Sequence, residues 1–281
     1  MTQAAALSSG FPPELAWMAL IALLLSAIGF YKFVYFISIG YGLSVSGIAL
    51  YLLWAHRTHL AAAPVVMLVL MAAYGLRLSG YLLVREWRSA AYRRTLERET
   101  KREKPMPLAI QCVIWVSVCL LYVAQSAPAA YLMAHIAAGG KPAEHPLTWF
   151  GIALAAGGFL LESLADAQKS AAKRTQPDRW VETGLFSVVR CPNYLGEVLF
   201  WLGIYLAGMP AYASVWSWVV ATTGFVLIVY VMLSGARRLE RGQDARYGQQ
   251  PEYRAYTART PILLPLVPWY SMKQWHFIKD V

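Results

Sequence analysis

The stretch Ala61–Leu83 (AAAPVVMLVLMAAYGLRLSGYLL) runs for 23 residues with Arg77 as its single charge. An α-helix rises 1.5 Å per residue, so about 20 apolar residues cross the roughly 30 Å hydrocarbon core of a bilayer. The stretch therefore predicts a transmembrane helix. Six other stretches are similarly long and nearly free of charge. They are Leu15–Phe30, Ile37–Trp54, Pro107–Ala124, Leu147–Leu164, Tyr194–Met209 and Ala213–Leu233.

The composition supports the same interpretation. The chain has 281 residues, of which 58% are hydrophobic and 14% charged, and its mean hydropathy is +0.44. A soluble domain is usually about one quarter charged. We therefore predict an all-α, polytopic membrane bundle of seven transmembrane helices. The first is expected to remain as a helix, because no basic residues precede it and no clear small-residue cleavage site follows it.

The basic residues divide unequally between the two sides of the predicted bundle. Of the 25 Lys and Arg residues, 22 lie in alternate connections and in the C-terminal tail, whereas the opposite connections hold Arg57 and Lys141. Because basic connections stay on the cytoplasmic side, the N-terminus is predicted outside and the C-terminus in the cytoplasm. The expected location is a bacterial inner membrane or an endoplasmic reticulum membrane. Nucleic-acid binding is not expected, because the basic residues follow the membrane topology.

Two expectations concern the connections between the spans. The segment Arg85–Lys104 alternates in charge at helical spacing, which predicts a solvated helix continuing from the third span. The five histidines fall in connections or in the tail and are expected to be solvated rather than catalytic. The three cysteines lack metal-site spacing, so we expect reduced thiols and no bound metal.

Charged side chains inside the predicted spans need an explanation, because burying an ionisable group in hydrocarbon costs several kcal/mol unless it has a partner or faces a polar cavity. The residues concerned are Arg77, Glu162, Asp166 and Glu197. Positions 162, 166, 169 and 173 lie on one helical face, so they predict a polar stripe running towards the cytoplasm. One interpretation is structural, with Arg77 paired to Glu162 or Glu197 across helices.

A ligand site is the other interpretation. A glycine turn and Pro192 place Arg190 and Asn193 at the start of the sixth span, where free backbone N–H groups attract anions. More Arg and Tyr residues follow the seventh span. Such a set suits a phosphate-bearing ligand with a ring that Asn or Glu can hydrogen-bond. The chain has neither GxGxxG after a strand nor GxxxxGK[ST], so the membrane domain itself would form the site.

Four segments of the chain are LESLADAQK (161–169), GLFSVVRCPNYLGE (184–197), RLERGQDARYG (238–248) and EYRAYTARTPILLP (252–265). They resemble segments of the steroid 5-alpha-reductase family and, more loosely, of the membrane sterol reductases. The resemblance implies an oxidoreductase that uses NADPH to reduce the 4,5 double bond of 3-oxo-4-ene steroids or similar lipid enones. It implies cofactor contacts at Asp166, Lys173, Arg190, Asn193, Glu197, Arg238, Tyr253, Tyr256 and Arg259.

The same resemblance implies a tyrosine in the third span that hydrogen-bonds the substrate carbonyl. Tyr74 matches it, three residues before Arg77. The Gln–Glu pair that the steroid reductases use beside this tyrosine has no counterpart in the second span, where Tyr41 is the nearest substitute. Tyr74 and Tyr41 are thus the catalytic candidates. Within a single membrane domain, residues 1–126 would form the substrate side, which an apolar steroid-like molecule reaches from the lipid, and residues 147–265 the cofactor side.

Two alternatives remain open. Isoprenylcysteine and phospholipid methyltransferases have a related Arg-His-Pro-x-Tyr-x-Gly pattern and bind S-adenosylmethionine, whereas this chain has Cys191 in place of the histidine and Glu197 after the glycine. The other alternative is a lipid-binding or transport bundle without enzymatic activity, in which the charges within the membrane are structural. Tyr247 is expected to rest on lipid headgroups in any of these cases.

Overall fold

The computed structural model describes residues 10–88, 106–273 and 275, and within these ranges the regular structure is entirely helical. The α-helices, numbered in chain order, are α1 Glu14–Ser26, α2 Ile39–Ala55, α3 Ala62–Arg88, α4 Leu108–Ala137, α5 Pro146–Thr175, α6 Pro192–Gly208, α7 Val215–Tyr247 and α8 Pro251–Arg259. Short 3-10 helices occupy Ala27–Phe30, Phe33–Ile37, Pro142–Glu144, Gly184–Ser187 and Met209–Ala211.

Each of the seven predicted spans coincides with one of the helices α1 to α7, so the protein is an all-helical, multi-pass membrane bundle. Helices α3 to α7, and α2 with the 3-10 turn before it, are long and apolar enough to cross a bilayer. Helix α1 is shorter and continues as a 3-10 turn to Phe30. The orientation and the identity of the membrane stay predictions. Beyond Arg88, the helix predicted over Arg85–Lys104 lies outside the described residues.

Helix α4 is longer than its predicted span, which ended at Ala124. The helix continues to Ala137 and includes Pro128, whose missing N–H leaves the carbonyl of Ala124 without its usual helical donor. This continuation packs closely against protein, since a Cβ built on Gly208 would lie only 2.6 Å from the Cβ of Pro128. The hydropathy pattern stops early because the continuation begins with polar residues and proline, which protein contacts accommodate better than lipid does.

The chain divides into two compact units. Unit 1 comprises Met1–Ile152 and Ile204–Phe225, and unit 2 comprises Ala153–Gly203 and Val226–Val281. Helices α5, α6 and α7 are each divided, with one part in unit 1 and the other in unit 2. The predicted division into a substrate side and a cofactor side, at residues 1–126 and 147–265, stays a prediction.

Unit 1 contains a buried contact between a histidine and a carboxylate that corrects one of the sequence-based expectations. His56 follows α2 directly, and its Nε2 lies 3.1 Å from Oε1 of Glu14 in the first turn of α1. Both residues are buried. The expectation of a solvated histidine is therefore wrong for His56. Consecutive helices joined by a short connection run antiparallel, so the end of α2 lies beside the start of α1 and the two polar residues meet there.

Candidate functional site

Helices α2 and α3 of unit 1 cross at a point where both have glycine. A Cβ built on Gly75 would lie 2.2 Å from the carbonyl oxygen of Gly42, and one built on Gly42 would lie 2.5 Å from the carbonyl oxygen of Gly75. These distances are too short for any side chain, so the two backbones touch here. Small residues are the usual means of such close approach between membrane helices.

Two serines hold the same crossing in register. Ser46 Oγ donates to the carbonyl of Ala72, and Ser79 Oγ donates to the carbonyl of Ile39, each at 2.9 Å. Each serine lies one turn beyond the glycine of its own helix, in the matching segments YGLSVS (41–46) and YGLRLS (74–79). The repeated pattern YGLxxS is the sequence signal, absent from the predictions above, that marks where the two helices meet.

The crossing brings the two catalytic candidates together, because a tyrosine precedes each of the two glycines. The hydroxyl oxygens of Tyr41 and Tyr74 are 3.3 Å apart, which is hydrogen-bonding distance, and both side chains are buried. The Tyr41 ring also packs on Tyr122 of α4, with ring centroids 5.1 Å apart, and the Tyr122 hydroxyl donates to the carbonyl of Phe36. The hydroxyls of Tyr41 and Tyr74 thus form a buried pair in a packed aromatic setting.

In unit 2, helices α5 and α6 also meet at glycines. A Cβ built on Gly158 would lie 2.5 Å from the carbonyl oxygen of Gly196, and one built on Gly196 would lie 2.6 Å from the backbone nitrogen of Glu162. Glu162 and Glu197 are therefore held beside a point where the two backbones touch. The segment PNYLGE places glycine next to glutamate, so close packing and the buried charge come from adjacent residues.

The polar groups at this crossing are unusually buried for carboxylates. Glu162 and Asp166 of α5 and Glu197 of α6 are each less than one tenth exposed. All three take part in hydrogen bonds or electrostatic interactions, as does the half-buried Lys169 on the next turn of α5. Across the described ranges, no three His, Cys, Asp or Glu side chains converge closely enough to hold a metal ion.

Asn193, in the first turn of α6, presents a buried acceptor. Its Oδ1 is shielded from solvent and has no hydrogen-bond partner in the described part of the chain. A buried amide oxygen without a partner is costly, and proteins pair nearly all such groups. The position therefore suits a ligand that brings an N–H or O–H donor.

Arg190 has a different environment from the one predicted for a phosphate-binding residue. Its buried guanidinium donates to Oε1 of Glu240 at 3.2 Å and to the carbonyl of Tyr270. Glu240 accepts a further hydrogen bond from the backbone N–H of Met272 at 2.9 Å. The structure thus brings Arg190 to an internal ion pair that ties α7 to the C-terminal segment.

The loop before α6 is anchored by two sets of hydrogen bonds. Gln168 Oε1 accepts from the backbone N–H of Leu185 at 2.9 Å, next to Gly184, whose φ of +63° favours glycine. The backbone N–H groups of Arg190 and Cys191 donate to the carbonyls of Pro261 and Ile262. The four segments that carry the resemblance therefore all lie within unit 2, and hydrogen bonds join the other three directly to residues 184–197.

Tyr253 and Tyr256 of α8 lie in an aromatic cluster with Trp180 and Tyr247. Their hydroxyls donate to Asp244 Oδ1 at 2.9 Å and to the carbonyl of Phe186 at 2.7 Å, respectively. Burial is the main cause that raises the pKa of both phenols. Tyr247 is buried in the same cluster, so the expectation that it rests on headgroups is wrong. Its partner Trp180 gave no sequence signal, because it lies in a polar loop.

The remaining predicted contacts lie nearer the surface. Arg238 and Arg259 are exposed, whereas Arg237 is half-buried. Arg237 lies one turn after the buried Ser234 and one turn before Arg241. This helical spacing could have indicated Arg237 as the inward-facing arginine in place of Arg238. Lys173 is half-buried, and its ammonium donates to the carbonyls of Pro177 and Arg179.

A cleft of about 450 Å³ opens beside the loop that follows α5. Its lining residues are Gln176, Pro177, Asp178, Arg179, Trp180, Gln250 and Glu252. The lining carries both charges, and Asp178 already accepts from Arg246 at 2.5 Å. The cleft therefore has no excess of positive charge that would select phosphate.

We expect Cys191 to resist alkylation while the protein is folded. All three cysteines are free thiols, as predicted, and burial raises the pKa of Cys191 to about 11. At pH 8 only about one thiol in a thousand would then be the reactive thiolate. Iodoacetamide should label Cys191 at least about a hundredfold faster after denaturation, as measured by mass spectrometry of its peptide. Equal rates in the folded and denatured protein would contradict the packing described above.

Comparisons with known proteins give a family without an assigned activity. Residues 23–260 match the model of a family described as "Protein of unknown function (DUF1295)". An uncharacterized protein of Schizosaccharomyces pombe is 28% identical over 163 residues, which cover 51% of this chain. The alignment spans 45% of the yeast protein, so the chain matches less than half of that relative. No solved structure matches.

Proposed function

The chain belongs to the DUF1295 family of proteins of unknown function, and from its site we propose that it is an NADPH-dependent reductase of the 4,5 double bond in 3-oxo-4-ene steroids or similar lipid enones. The observation that carries the proposal is the buried pair of hydroxyls on Tyr41 and Tyr74, 3.3 Å apart.

The tyrosine pair suits an electrophilic role towards a carbonyl. A tyrosine hydroxyl donates one hydrogen bond and can accept others. With the Tyr41 hydroxyl donating to Tyr74, the Tyr74 hydroxyl retains its own proton, which it would donate to an oxygen of the substrate. The hydrogen bond received by Tyr74 also makes its own O–H a stronger donor, since linked hydrogen bonds polarise one another. In a buried setting, such a donor strengthens its interaction as the carbonyl becomes an enolate.

NADPH, when bound, supplies a hydride to the β carbon of the enone. The protein itself would hold the substrate carbonyl with Tyr74 and exclude water by burial. It would also stabilise the negative charge on the carbonyl oxygen until the α carbon is protonated. Removing one such donor typically costs a hundredfold to a thousandfold in rate. Ser46 and Ser79 already hold the crossing of α2 and α3, so the hydroxyl pair is not required to fix it.

In unit 2 the residues that would hold the cofactor are a subset of those the resemblance implies. Asn193 Oδ1 is a buried acceptor without a protein partner in the described residues, which fits the donor N–H₂ of a carboxamide. Glu197 lies one turn further along α6, and Asp166 lies on the facing stripe of α5. Arg190 is engaged by Glu240, so we propose that Lys169 and Arg237, which the resemblance does not imply, are added to this subset as the cationic groups.

A second candidate is an S-adenosylmethionine-dependent methyltransferase, and one observation favours it. The buried carboxyl groups of Glu162, Asp166 and Glu197 form an acidic cluster. Such a cluster complements the positive charge of a sulfonium better than it complements the negative charge of phosphates. Methyl transfer to a lipid or thiol gives the tyrosine pair no role, however. A lipid-binding or transport bundle gives it none either.

Ligand-induced stabilisation separates these functions. We expect NADPH to raise the thermal unfolding midpoint of the protein in detergent micelles, whereas S-adenosylmethionine should leave it unchanged. A ligand at about a hundred times its dissociation constant stabilises the folded state by roughly 2.7 kcal/mol, which is a readily measured shift. Asn193→Ala should abolish the shift and leave the midpoint of the protein without ligand nearly unchanged, because Oδ1 has no partner to lose.

The matched control is Gln249→Ala, which removes an exposed amide from the same unit. It should retain the full NADPH shift. Stabilisation by S-adenosylmethionine instead of NADPH would favour the methyltransferase, and stabilisation by neither would favour a bundle without such a cofactor.

A further inference from the structure

One glutamine in the middle of α4 is buried without a partner for either end of its amide. The side chain of Gln125 is 2% exposed, and neither its Oε1 nor its Nε2 has a hydrogen-bond partner among the described residues. Its neighbour Ser126 is 0% exposed, and its hydroxyl is also without a partner there. A primary amide in the interior of a membrane protein is costly in this state, since neither lipid nor apolar side chains can pair with it.

The backbone that carries these polar groups packs closely against α7. Gly224 of α7 packs closely against this backbone, since a Cβ built on Gly224 would lie 2.4 Å from the backbone nitrogen of Gln125. Pro128 interrupts the helical hydrogen bonds one turn later. The contact with Gly224 fixes the backbone from which the Gln125 side chain extends.

Gln125 belongs to the same compact unit as the tyrosine pair. It lies three residues after Tyr122, so the two side chains are neighbours on α4. The ring of Tyr122 in turn packs on Tyr41 with centroids 5.1 Å apart, and Tyr41 contacts the hydroxyl of Tyr74. The amide and the hydroxyl pair are thus linked through the single ring of Tyr122.

We propose that Gln125 positions the substrate by binding a hydroxyl group remote from the reacting carbonyl. The inference rests on the proposed function, and it adds a substrate class, the hydroxylated enones. The chemistry of the amide selects the hydroxyl. Oε1 requires a donor, which a ketone cannot supply, whereas a hydroxyl donates to Oε1 and accepts from Nε2 or from Ser126. The enone carbonyl only accepts, and it is served by Tyr74.

The test compares three steroids that share the 3-oxo-4-ene group and differ at one carbon. Testosterone carries a hydroxyl at carbon 17, androst-4-ene-3,17-dione a ketone, and androst-4-en-3-one no oxygen. Equilibrium binding is measured on the full chain in nanodiscs against empty nanodiscs, without cofactor. The wild type should bind testosterone about tenfold more tightly than either analogue, the value of one good hydrogen bond.

Gln125→Leu should remove this preference and bind all three steroids alike. Without ligand, the same variant should unfold at a temperature equal to that of the wild type or about 2–4 °C higher, because an unpaired polar group is replaced by an apolar one. The matched control is Gln111→Leu on the same helix, which removes an amide that donates to the carbonyl of Met106 at 2.9 Å. That control should keep the preference for testosterone.

Each contrary result has a distinct meaning. A clearly lower unfolding temperature of Gln125→Leu would show that the amide is paired in the free protein and would overturn the inference. An unchanged preference for the hydroxyl in Gln125→Leu would overturn it as well, with the proposed function intact. A wild type that binds none of the three steroids would remove the proposed function, and this inference with it.

Discussion

Tyr74→Phe should lower the turnover of a 3-oxo-4-ene steroid by roughly tenfold to a thousandfold. The substitution keeps the ring in its buried position and removes only the hydroxyl that lies 3.3 Å from that of Tyr41. The lost hydrogen bond is strongest when charge builds on the carbonyl oxygen, so the defect should appear in the rate of hydride transfer rather than in substrate binding. Stabilisation by NADPH should be unchanged.

The measurement is the single-turnover decay of NADPH absorbance with saturating steroid. Tyr131→Phe is the matched control, because Tyr131 is equally buried but its hydroxyl donates to the carbonyl of Gly10 at 3.0 Å, away from the pair. It should react at the wild-type rate. Tyr41→Phe should show a smaller loss than Tyr74→Phe, since Tyr41 acts through its neighbour. A wild-type rate in Tyr74→Phe would mean that its hydroxyl is not the electrophile.

Glu240→Ala should lower the free energy of unfolding by about 3–5 kcal/mol, the usual cost of leaving one charge of a buried pair alone. The substitution leaves the guanidinium of Arg190 buried and the backbone N–H of Met272 without its acceptor. Denaturant titration of the protein in detergent micelles, followed by tryptophan fluorescence, measures the change.

Two further variants show whether the loss comes from the buried charge. Asp178→Ala breaks the exposed ion pair with Arg246 and should cost less than about 1 kcal/mol. The double variant Arg190→Met with Glu240→Leu should recover much of the stability lost in Glu240→Ala, because it leaves no buried charge unpaired. A loss in Glu240→Ala no larger than that in Asp178→Ala would contradict the arrangement described for unit 2.

The spans could be predicted from the sequence because the bilayer acts on each segment separately. A helix such as α3 must satisfy its own backbone and cover the hydrocarbon with its own side chains, so its length and composition suffice to identify it. The prediction failed at the end of α4, where the surroundings are protein rather than lipid. Pro128 and Gln125 are tolerated there because they pack against protein, and local hydropathy carries no information about that packing.

Residue chemistry and helical spacing also predicted that Glu162, Asp166 and Glu197 are buried beside other polar groups. Only the tertiary structure decided which partner each polar residue has. Arg190 meets Glu240, 50 residues later in the chain, and His56 meets Glu14. Such pairings depend on how separate helices cross. Those crossings depend in turn on contacts between glycines and serines of different helices, which no single segment specifies.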